Sequence, residues 1–168
     1  GIHIPGSIED LSVQDWDKVT GVNIRGVFFL SKNCIELLKK SDRGRIIHIA
    51  SVHAFGGGNG PAYASSKAAL NMMTKSLAHI LGPEIRINSV APGMIQTRWL
   101  KDGMSKENYE NMLEGSRKKL PLQEVATAED VAETLIWFLE GAKLITGEVL
   151  IMDSGVHLGT LPAYSSGE

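Results

Sequence analysis

RIIHIAS, residues 45–51, is an apolar run that ends in a hydroxyl. It lies between Gly44 and a glycine cluster at 56–58, which is the pattern of a buried strand. A second run of this kind, IRINSVAPG, covers residues 85–93 and is broken by its Pro-Gly pair. Between the two runs a helix is predicted from about Pro61 to Leu81. The pattern therefore predicts a parallel strand–helix–strand unit whose strand ends open onto one crevice.

Tyr63 and Lys67 lie four positions apart in the sequence YASSK, in the first turns of that helix. Residues at i and i+4 share one face of a helix. A free phenol, with a pKa of about 10, is a poor acid/base at neutral pH, but a neighbouring ammonium favours the phenolate. The spacing makes Tyr63 a candidate general acid/base with Lys67 as its partner.

From about Ile8 to Gly155 the chain resembles the classical short-chain dehydrogenase/reductases. Asn23, Ser51, Tyr63 and Lys67 match, in order and separation, the helix asparagine, strand-end serine and Tyr-x-x-x-Lys pair of that family. GEVLIMDSG, residues 147–155, resembles the last strand of the family and the turn after it. The resemblance implies an α/β fold, specifically the C-terminal part of a doubly wound, Rossmann-like parallel sheet with flanking helices and about three strands.

The resemblance also implies an activity, namely NAD(P)-dependent hydride transfer between nicotinamide and a carbonyl or secondary alcohol, with a 3-oxoacyl thioester as one candidate. Tyr63 would pass a proton to or from the substrate oxygen, and Ser51 would hydrogen-bond that oxygen. Lys67 would favour the phenolate and bond the nicotinamide ribose. The backbone carbonyl of Asn23 would hold a water that relays protons toward Lys67.

Further contacts follow from the same resemblance and from position in the chain. A cofactor-binding segment that packs against the nicotinamide and bonds its carboxamide is expected at Pro92, Gly93, Ile95 and Thr97. His53, two positions past Ser51, and Trp99 are candidate substrate contacts. Two alternatives stay open: Trp99 either lines an apolar substrate pocket or is an exposed residue that touches nothing, and Asp153 is either a carboxylate of the site or a turn former.

The sequence departs from the family at the phosphate site. A dinucleotide-binding enzyme needs a glycine-rich turn for the pyrophosphate, and the cluster at 56–60 has Pro61 and Tyr63 where a third glycine belongs. Gly1 matches at most the last residue of the family's Asn-Asn-Ala-Gly turn. The adenosine half is missing, so NAD and NADP are not distinguished and binding by this chain alone is open. The alternative function is a non-catalytic oligomerising or ligand-binding remnant.

Size and composition set the remaining limits. The 168 residues form one predicted domain, 1–168, with a Lys/Glu/Met-rich segment at 98–120 that resembles the family's substrate lid. A net charge of −2 gives no sign of a nucleic-acid partner, the apolar runs are short for a membrane span, and the histidines lack metal-ligand spacing. A single cysteine, Cys34, excludes an intrachain disulfide. These features favour a cytoplasmic protein, and the resemblance implies a small-molecule carbonyl or alcohol substrate.

The remaining elements are predicted as helices at about 13–21, 22–40 and 128–140, and a last strand at about 147–152. The helix at 128–140 is expected to start at a capping box formed by Thr127 and Asp130. Inward-facing stripes are expected at Val27, Leu30, Cys34, Ile35 and Leu38, and at Val131, Leu135, Phe138 and Leu139. Strand 45–50 lacks the neighbour it has in relatives, and a bare apolar edge pairs readily with another chain. We predict a homo-oligomer through this edge or through helices 22–40 and 61–81.

Overall fold

The computed structural model describes residues 1–56, 60–102 and 104–159. Its strands are β1 (Arg45–Ile49), β2 (Arg86–Pro92), β3 (Ile95–Gln96), β4 (Ala126–Thr127) and β5 (Val149–Met152). Its α-helices are α1 (Val13–Thr20), α2 (Val27–Lys39), α3 (His53–Gly56), α4 (Pro61–Leu81), α5 (Arg98–Lys101), α6 (Lys106–Arg117) and α7 (Ala128–Glu140). A π-helical turn covers Gly21–Gly26, and a 3-10 turn covers Val156–Leu158.

The main sheet is parallel and has the order β1-β2-β5. Ile49 is in register with Val90, and Val90 with Leu150, so the carboxyl ends of all three strands lie at one edge. This confirms the α/β fold with about three strands. Within the described ranges β1 pairs with β2 alone, so it is an edge strand, as predicted. The short parallel pair β3–β4 was not predicted.

The core that supports the site lies between α4 and the start of β2. Ala78, Leu81, Ile85 and Ile87 form a buried cluster, against which apolar side chains of α2, β1 and α4 pack. Burying each large aliphatic side chain contributes about 1.5–3 kcal/mol. This cluster fixes α4, and with it the first turns of α4, relative to the strand ends.

Arg86 fastens the C-terminal end of α7 to β2. Its guanidinium donates hydrogen bonds to the carbonyl oxygens of Phe138, Gly141, Ala142 and Ile145, at 2.7–3.3 Å. A cation at this end of a helix satisfies terminal carbonyls and complements the helix dipole. At the other end of α7, Thr127 and Asp130 form the predicted capping box.

The helices predicted at 13–21 and 22–40 differ from the structure in one respect. No break separates them, because the π-helical turn Gly21–Gly26 joins α1 to α2 in one continuous helical run. The wider turn places Asn23 inward, where it is almost fully buried.

Two residues predicted to face inward do not. Leu30 is 68% exposed because α2 turns Ser31 toward β1, which leaves Leu30 at the open side of the sheet edge. Leu139 is 44% exposed. Val131 and Phe138 define the buried face of α7, and Leu139, eight residues after Val131, points about 80° away from the direction of Val131. Cys34 is half-buried.

The segment predicted as a lid, 98–120, contains α5 and α6. The middle of the glycine cluster at 57–59, residue 103 of the lid segment and the C-terminal residues 160–168 lie outside the described residues. Among the helices that the structure describes, none combines the length and apolar character needed to cross a bilayer.

Candidate functional site

A cavity of about 260 Å³ opens at the carboxyl ends of β1 and β2, and we call it the first cavity. It brings together most of the residues predicted for the site. Those that line it are Ser51, Tyr63, Lys67, Pro92, Gly93, Ile95, Thr97 and Trp99. The first cavity is therefore assembled from two strand ends, the start of α4 and the start of α5.

Lys67 is held next to Tyr63 by a hydrogen bond to the end of β1. Its Nζ donates to the carbonyl oxygen of Ile49 at 2.7 Å and lies 5.6 Å from the centroid of the Tyr63 ring. The side chain is buried, and burial lowers the pKa of Lys67 from its ordinary value because water no longer solvates the ammonium. The pair at i and i+4 therefore has the geometry that the spacing predicted.

Ser51 lies two residues after the end of β1 and is buried. Its Oγ accepts a hydrogen bond from the backbone N–H of His53 at 3.3 Å, which fixes the side chain at the start of α3. Because that bond uses a lone pair, the hydroxyl proton stays available for an acceptor in the first cavity.

Asn23 is predicted at the site, but its side chain does not line the first cavity. Its amide instead bonds both backbone groups of Ile2 (2.8 and 2.9 Å) and the Ser66 hydroxyl at 3.0 Å. These bonds tie the first residues of the chain to α4, one position before Lys67. Single π-helical turns often occur at functional sites, and this one positions Asn23.

His53 is exposed and does not line the first cavity, although its ring lies edge-on to Tyr63 at 5.8 Å between centroids. It lines a second cavity instead, of about 320 Å³, together with Val52, Phe55 and His157. Along the chain, residues 49–51 line the first cavity, and the second cavity is lined by Val52, His53, Phe55 and Gly56.

His3 lines the first cavity and is a residue that sequence reasoning missed. Its ring lies edge-on to Tyr63 at 5.2 Å and to Trp99 at 6.0 Å. His3 lies 60 residues before Tyr63, so no helical or strand periodicity in the sequence relates the two residues. The one available clue was that His3 closely follows Gly1, the end of a family turn.

Of the two alternatives for Asp153, the structure shows the turn former. Its carboxylate accepts hydrogen bonds from the backbone N–H groups of Gly155 and His157 and from His157 Nδ1, at 2.8–2.9 Å. Gly93 packs on it so closely that a β-carbon at Gly93 would lie 2.8 Å from Asp153 Cβ. Asp153 therefore supports the floor of the first cavity without lining it.

The residues around the first cavity fit a nicotinamide riboside. A phenol, an ammonium and a hydroxyl face a space bordered by the apolar side chains of Pro92 and Ile95. An ammonium carries three donors, and the described residues supply Lys67 with one acceptor, so donors remain for ribose hydroxyls. No group of three or more metal-ligating side chains occurs in the part of the chain that the structure describes.

A protein-family model described as "Enoyl-(Acyl carrier protein) reductase" matches residues 1–157. A curated relative, "Short-chain dehydrogenase/reductase homolog YusR" of Bacillus subtilis, is 39% identical over 136 residues, which cover 80% of this chain and 100% of the relative. The FabG 3-oxoacyl-[acyl-carrier-protein] reductase of Aquifex aeolicus is 35% identical over 149 residues, covering 87% of this chain and 58% of that protein.

Among solved structures, the aldohexose dehydrogenase of Thermoplasma acidophilum in ligand-free form superposes with a TM-score of 0.90 at 29% identity. The match covers 100% of this chain and 68% of that one. The chain thus spans the whole of the YusR homolog but only 58–60% of the length of two FabG relatives.

Proposed function

Because this chain belongs to the short-chain dehydrogenase/reductase family, we propose that its first cavity is the reaction site of an NAD(P)-dependent oxidoreductase. The reaction is hydride transfer between a nicotinamide and a carbonyl or secondary alcohol. The observation that carries the proposal is that Ser51, Tyr63 and Lys67 line one cavity at the strand ends. The position of a site at this edge is typical of open α/β sheets.

Each of these side chains has a distinct task. Tyr63 gives a proton to the substrate oxygen in reduction and takes it back in oxidation. Ser51 donates its hydroxyl proton to the same oxygen, and this bond strengthens as charge develops there. Lys67, held by Ile49, favours the phenolate form of Tyr63 through its positive charge. A bound nicotinamide would supply or accept the hydride.

The residues from the end of β2 to the start of α5 would position the cofactor. Pro92, Gly93, Ile95 and Thr97 would pack against the nicotinamide, while Tyr63 and Lys67 hold its ribose. The Asn23 backbone carbonyl would hold a relay water on the side of Lys67 that faces the π-helical turn. We propose the segment 98–120 as the substrate lid of a single domain, with Trp99 closing over the first cavity.

Cofactor affinity is the open element of this proposal, because the chain carries no glycine-rich phosphate turn. The proposed contacts reach the nicotinamide riboside alone, and most of the binding energy of a dinucleotide comes from contacts that include its phosphates. We therefore expect weak binding by the 168-residue chain, with no preference for NAD or NADP arising from residues described here.

Two substrate classes follow from the relatives. The FabG proteins are named as 3-oxoacyl-[acyl-carrier-protein] reductases, which makes a 3-oxoacyl thioester the first carbonyl compound to assay. The solved neighbour is named as an aldohexose dehydrogenase, which makes an aldose the second. Both are carbonyl or secondary-alcohol substrates of moderate size.

The proposal is tested by titrating the purified chain with NADH and NADPH while following nicotinamide fluorescence, and then assaying oxidation of the bound cofactor with each substrate. We expect Tyr63→Phe to lower turnover by a factor of about 100 or more at saturating cofactor, because it removes the proton donor. Tyr109→Phe makes the same change outside the lining of the first cavity and should be neutral. Equal turnover by the Tyr63→Phe variant, or no cofactor binding at millimolar concentration, would contradict the proposal for this chain.

A further inference from the structure

The second cavity contains a histidine whose ring is oriented by a buried carboxylate. His157 Nδ1 lies 2.8 Å from Asp153 Oδ1, and the Asp153 side chain is 1% exposed while that of His157 is 38% exposed. Asp153 already accepts two backbone N–H bonds, so both of its carboxylate oxygens act as acceptors here, Oδ1 toward Gly155 and Oδ2 toward His157. The proton of the Asp153–His157 bond therefore resides on Nδ1.

This bond determines what His157 offers to a ligand. When Nδ1 carries the proton of a neutral imidazole, Nε2 is an acceptor with a lone pair. The His157 ring cannot flip by 180° without losing its hydrogen bond to the buried Asp153 carboxylate. His157 thus presents a hydrogen-bond acceptor of fixed direction, as histidines oriented by carboxylates do in other proteins.

The second imidazole on this cavity belongs to His53, and it links the cavity to the reaction site. The His53 ring lies against Tyr63, and its backbone N–H bonds the Ser51 hydroxyl. His53 has no partner that fixes its tautomer among the interactions described for it, so either ring nitrogen can donate. The rest of the wall is largely apolar, from Val52, Phe55 and Val156.

Charge around this cavity disfavours an anionic ligand. No lysine or arginine is among the described residues that line it, and the Asp153 carboxylate lies directly behind His157. His157 also borders a neighbouring cavity that carries Glu124 and Asp130. A carboxylate or phosphate would meet this negative charge without a permanent cation to offset it. A hydroxyl group suits the pair better, because it can donate to one imidazole and accept from the other.

Resting on the proposed function, we propose that His53 and the Asp153–His157 pair form a subsite for a hydroxyl group of the substrate. The substrate hydroxyl donates to His157 Nε2 and accepts from a ring N–H of His53, while the carbonyl that is reduced faces Tyr63. The substrate class is accordingly a hydroxylated carbonyl compound, such as a hydroxyketone or a sugar. In this scheme His157 and His53 determine specificity, and Asp153 positions His157.

Matched ketones test the subsite without requiring turnover. Acetoin and 4-hydroxy-2-butanone carry a hydroxyl one and two carbons from the carbonyl, and 2-butanone has the same skeleton without it. Each is titrated into the 168-residue chain with ¹³C-labelled histidine, and the imidazole Cε1–H signals are followed by NMR. We expect at least one hydroxyketone to shift the His53 and His157 signals together and to bind at least fivefold more tightly than 2-butanone.

The variant His157→Phe keeps a ring at this partly exposed position and removes the acceptor. It should abolish the preference for the hydroxyketone while leaving 2-butanone affinity within twofold, and His79→Gln, at an exposed position on α4, should change neither. If the chain catalyses hydride transfer, the His157→Phe variant should have a higher KM for hydroxyketones than the unmodified chain, with kcat little changed. Equal affinity for all three ketones, or hydroxyketone binding that leaves both histidine signals unmoved, overturns the subsite. A chain that shows the NMR preference but no hydride transfer would retain the subsite and refute the proposed reaction instead.

Discussion

Lys67 Nζ donates a 2.7 Å hydrogen bond to the carbonyl oxygen of Ile49, so the last residue of β1 sets the position of the ammonium next to Tyr63. Lys67 is almost fully buried, which is uncommon for a lysine and costs solvation free energy. A buried ammonium held by one backbone acceptor indicates a position kept for its charge more than for stability.

Replacing Lys67 with Met should therefore separate activity from stability. We expect hydride transfer to fall about 100-fold or more, because the positive charge beside Tyr63 is lost. The free energy of unfolding should change by no more than about 1 kcal/mol, since the lost hydrogen bond is offset by the relief of burying an ammonium. Stopped-flow oxidation of NADPH and urea denaturation measure the two effects.

Lys75→Met is the matched control, because Lys75 is an exposed lysine on the same helix. It should leave both quantities unchanged. A Lys67→Met protein that keeps its turnover would show that the ammonium has no role in the chemistry.

His48 should make stability depend on pH. It is buried in β1 between the hydroxyls of Ser31 and Thr74, and burial lowers the pKa of His48 to about 4. An unfolded histidine has a pKa of about 6.5, so as pH falls below that value the unfolded state takes up a proton that the folded state does not. The free energy of unfolding should fall by up to about 3 kcal/mol between pH 7 and pH 4 from this group.

Urea denaturation at pH 7, 5.5 and 4 measures this loss. Carboxylates also titrate in this range, so the comparison is with His48→Gln, which retains a polar side chain but cannot be protonated. The variant should show a shallower decline with falling pH. Parallel declines for the two proteins would mean that His48 is not the group responsible.

Gly60 should tolerate no side chain. It has a φ of +135°, and a β-carbon there would lie 2.5 Å from His3 Nε2. We expect Gly60→Ala to lower the free energy of unfolding by about 1–3 kcal/mol through backbone strain and displacement of His3. In a His3→Ala background, Gly60→Ala should lower the free energy of unfolding only by the backbone strain at Gly60. A double-mutant cycle measured by thermal denaturation separates this strain from the contribution of His3.

Gly115→Ala is the same glycine-to-alanine change as Gly60→Ala, but it is expected to raise the free energy of unfolding. Gly115 lies within α6 with open space around it, so alanine should stabilise the protein by about 0.5–1 kcal/mol. If Gly60→Ala also stabilises, the close approach of His3 to Gly60 does not exist in solution.

Self-association through the edge of β1 is expected to respond to charge. Ile49 is at the end of this edge strand and is 42% exposed. Ile49→Lys should lower the mass measured by light scattering if two edges pair, because a lysine opposes strand pairing. Ile80→Lys, on the exposed side of α4, should lower it instead if the helices form the interface.

Leu144→Lys is the control for surface charge, since Leu144 is exposed and lies in neither proposed interface. It should leave the mass unchanged. A monomeric, well-behaved unmodified chain would contradict self-association by either route.

Local signals in the sequence predicted local structure well. Pro61 at the first turn and Gly82 after the last bound α4 at the predicted residues, and Thr127 with Asp130 predicted the start of α7. These signals act within four residues, so the sequence alone contains them. The strand-end position of Ser51 and the pairing of Tyr63 with Lys67 follow from the same kind of local rule.

What the sequence could not predict depends on contacts between distant segments. The approach of His3 to Tyr63 and the bond of Asp153 to the ring of His157 require the folded arrangement. A two-residue strand such as β3 is too short to show a period. Leu30 was placed inward wrongly, because an apolar stripe does not reveal whether anything covers it.

The π-helical turn at Gly21–Gly26 constrains how many residues this part of the chain can contain. Removing one residue would allow a regular α-helix from α1 through α2, with ordinary hydrogen bonds and better local stability. It would also rotate α1 by about 100° relative to α2, and the turn that brings Asn23 to Ile2 and Ser66 would be lost. A one-residue deletion here is thus opposed by the assembly of the site and favoured by the helix itself, so it would gain local helix stability at the expense of the site.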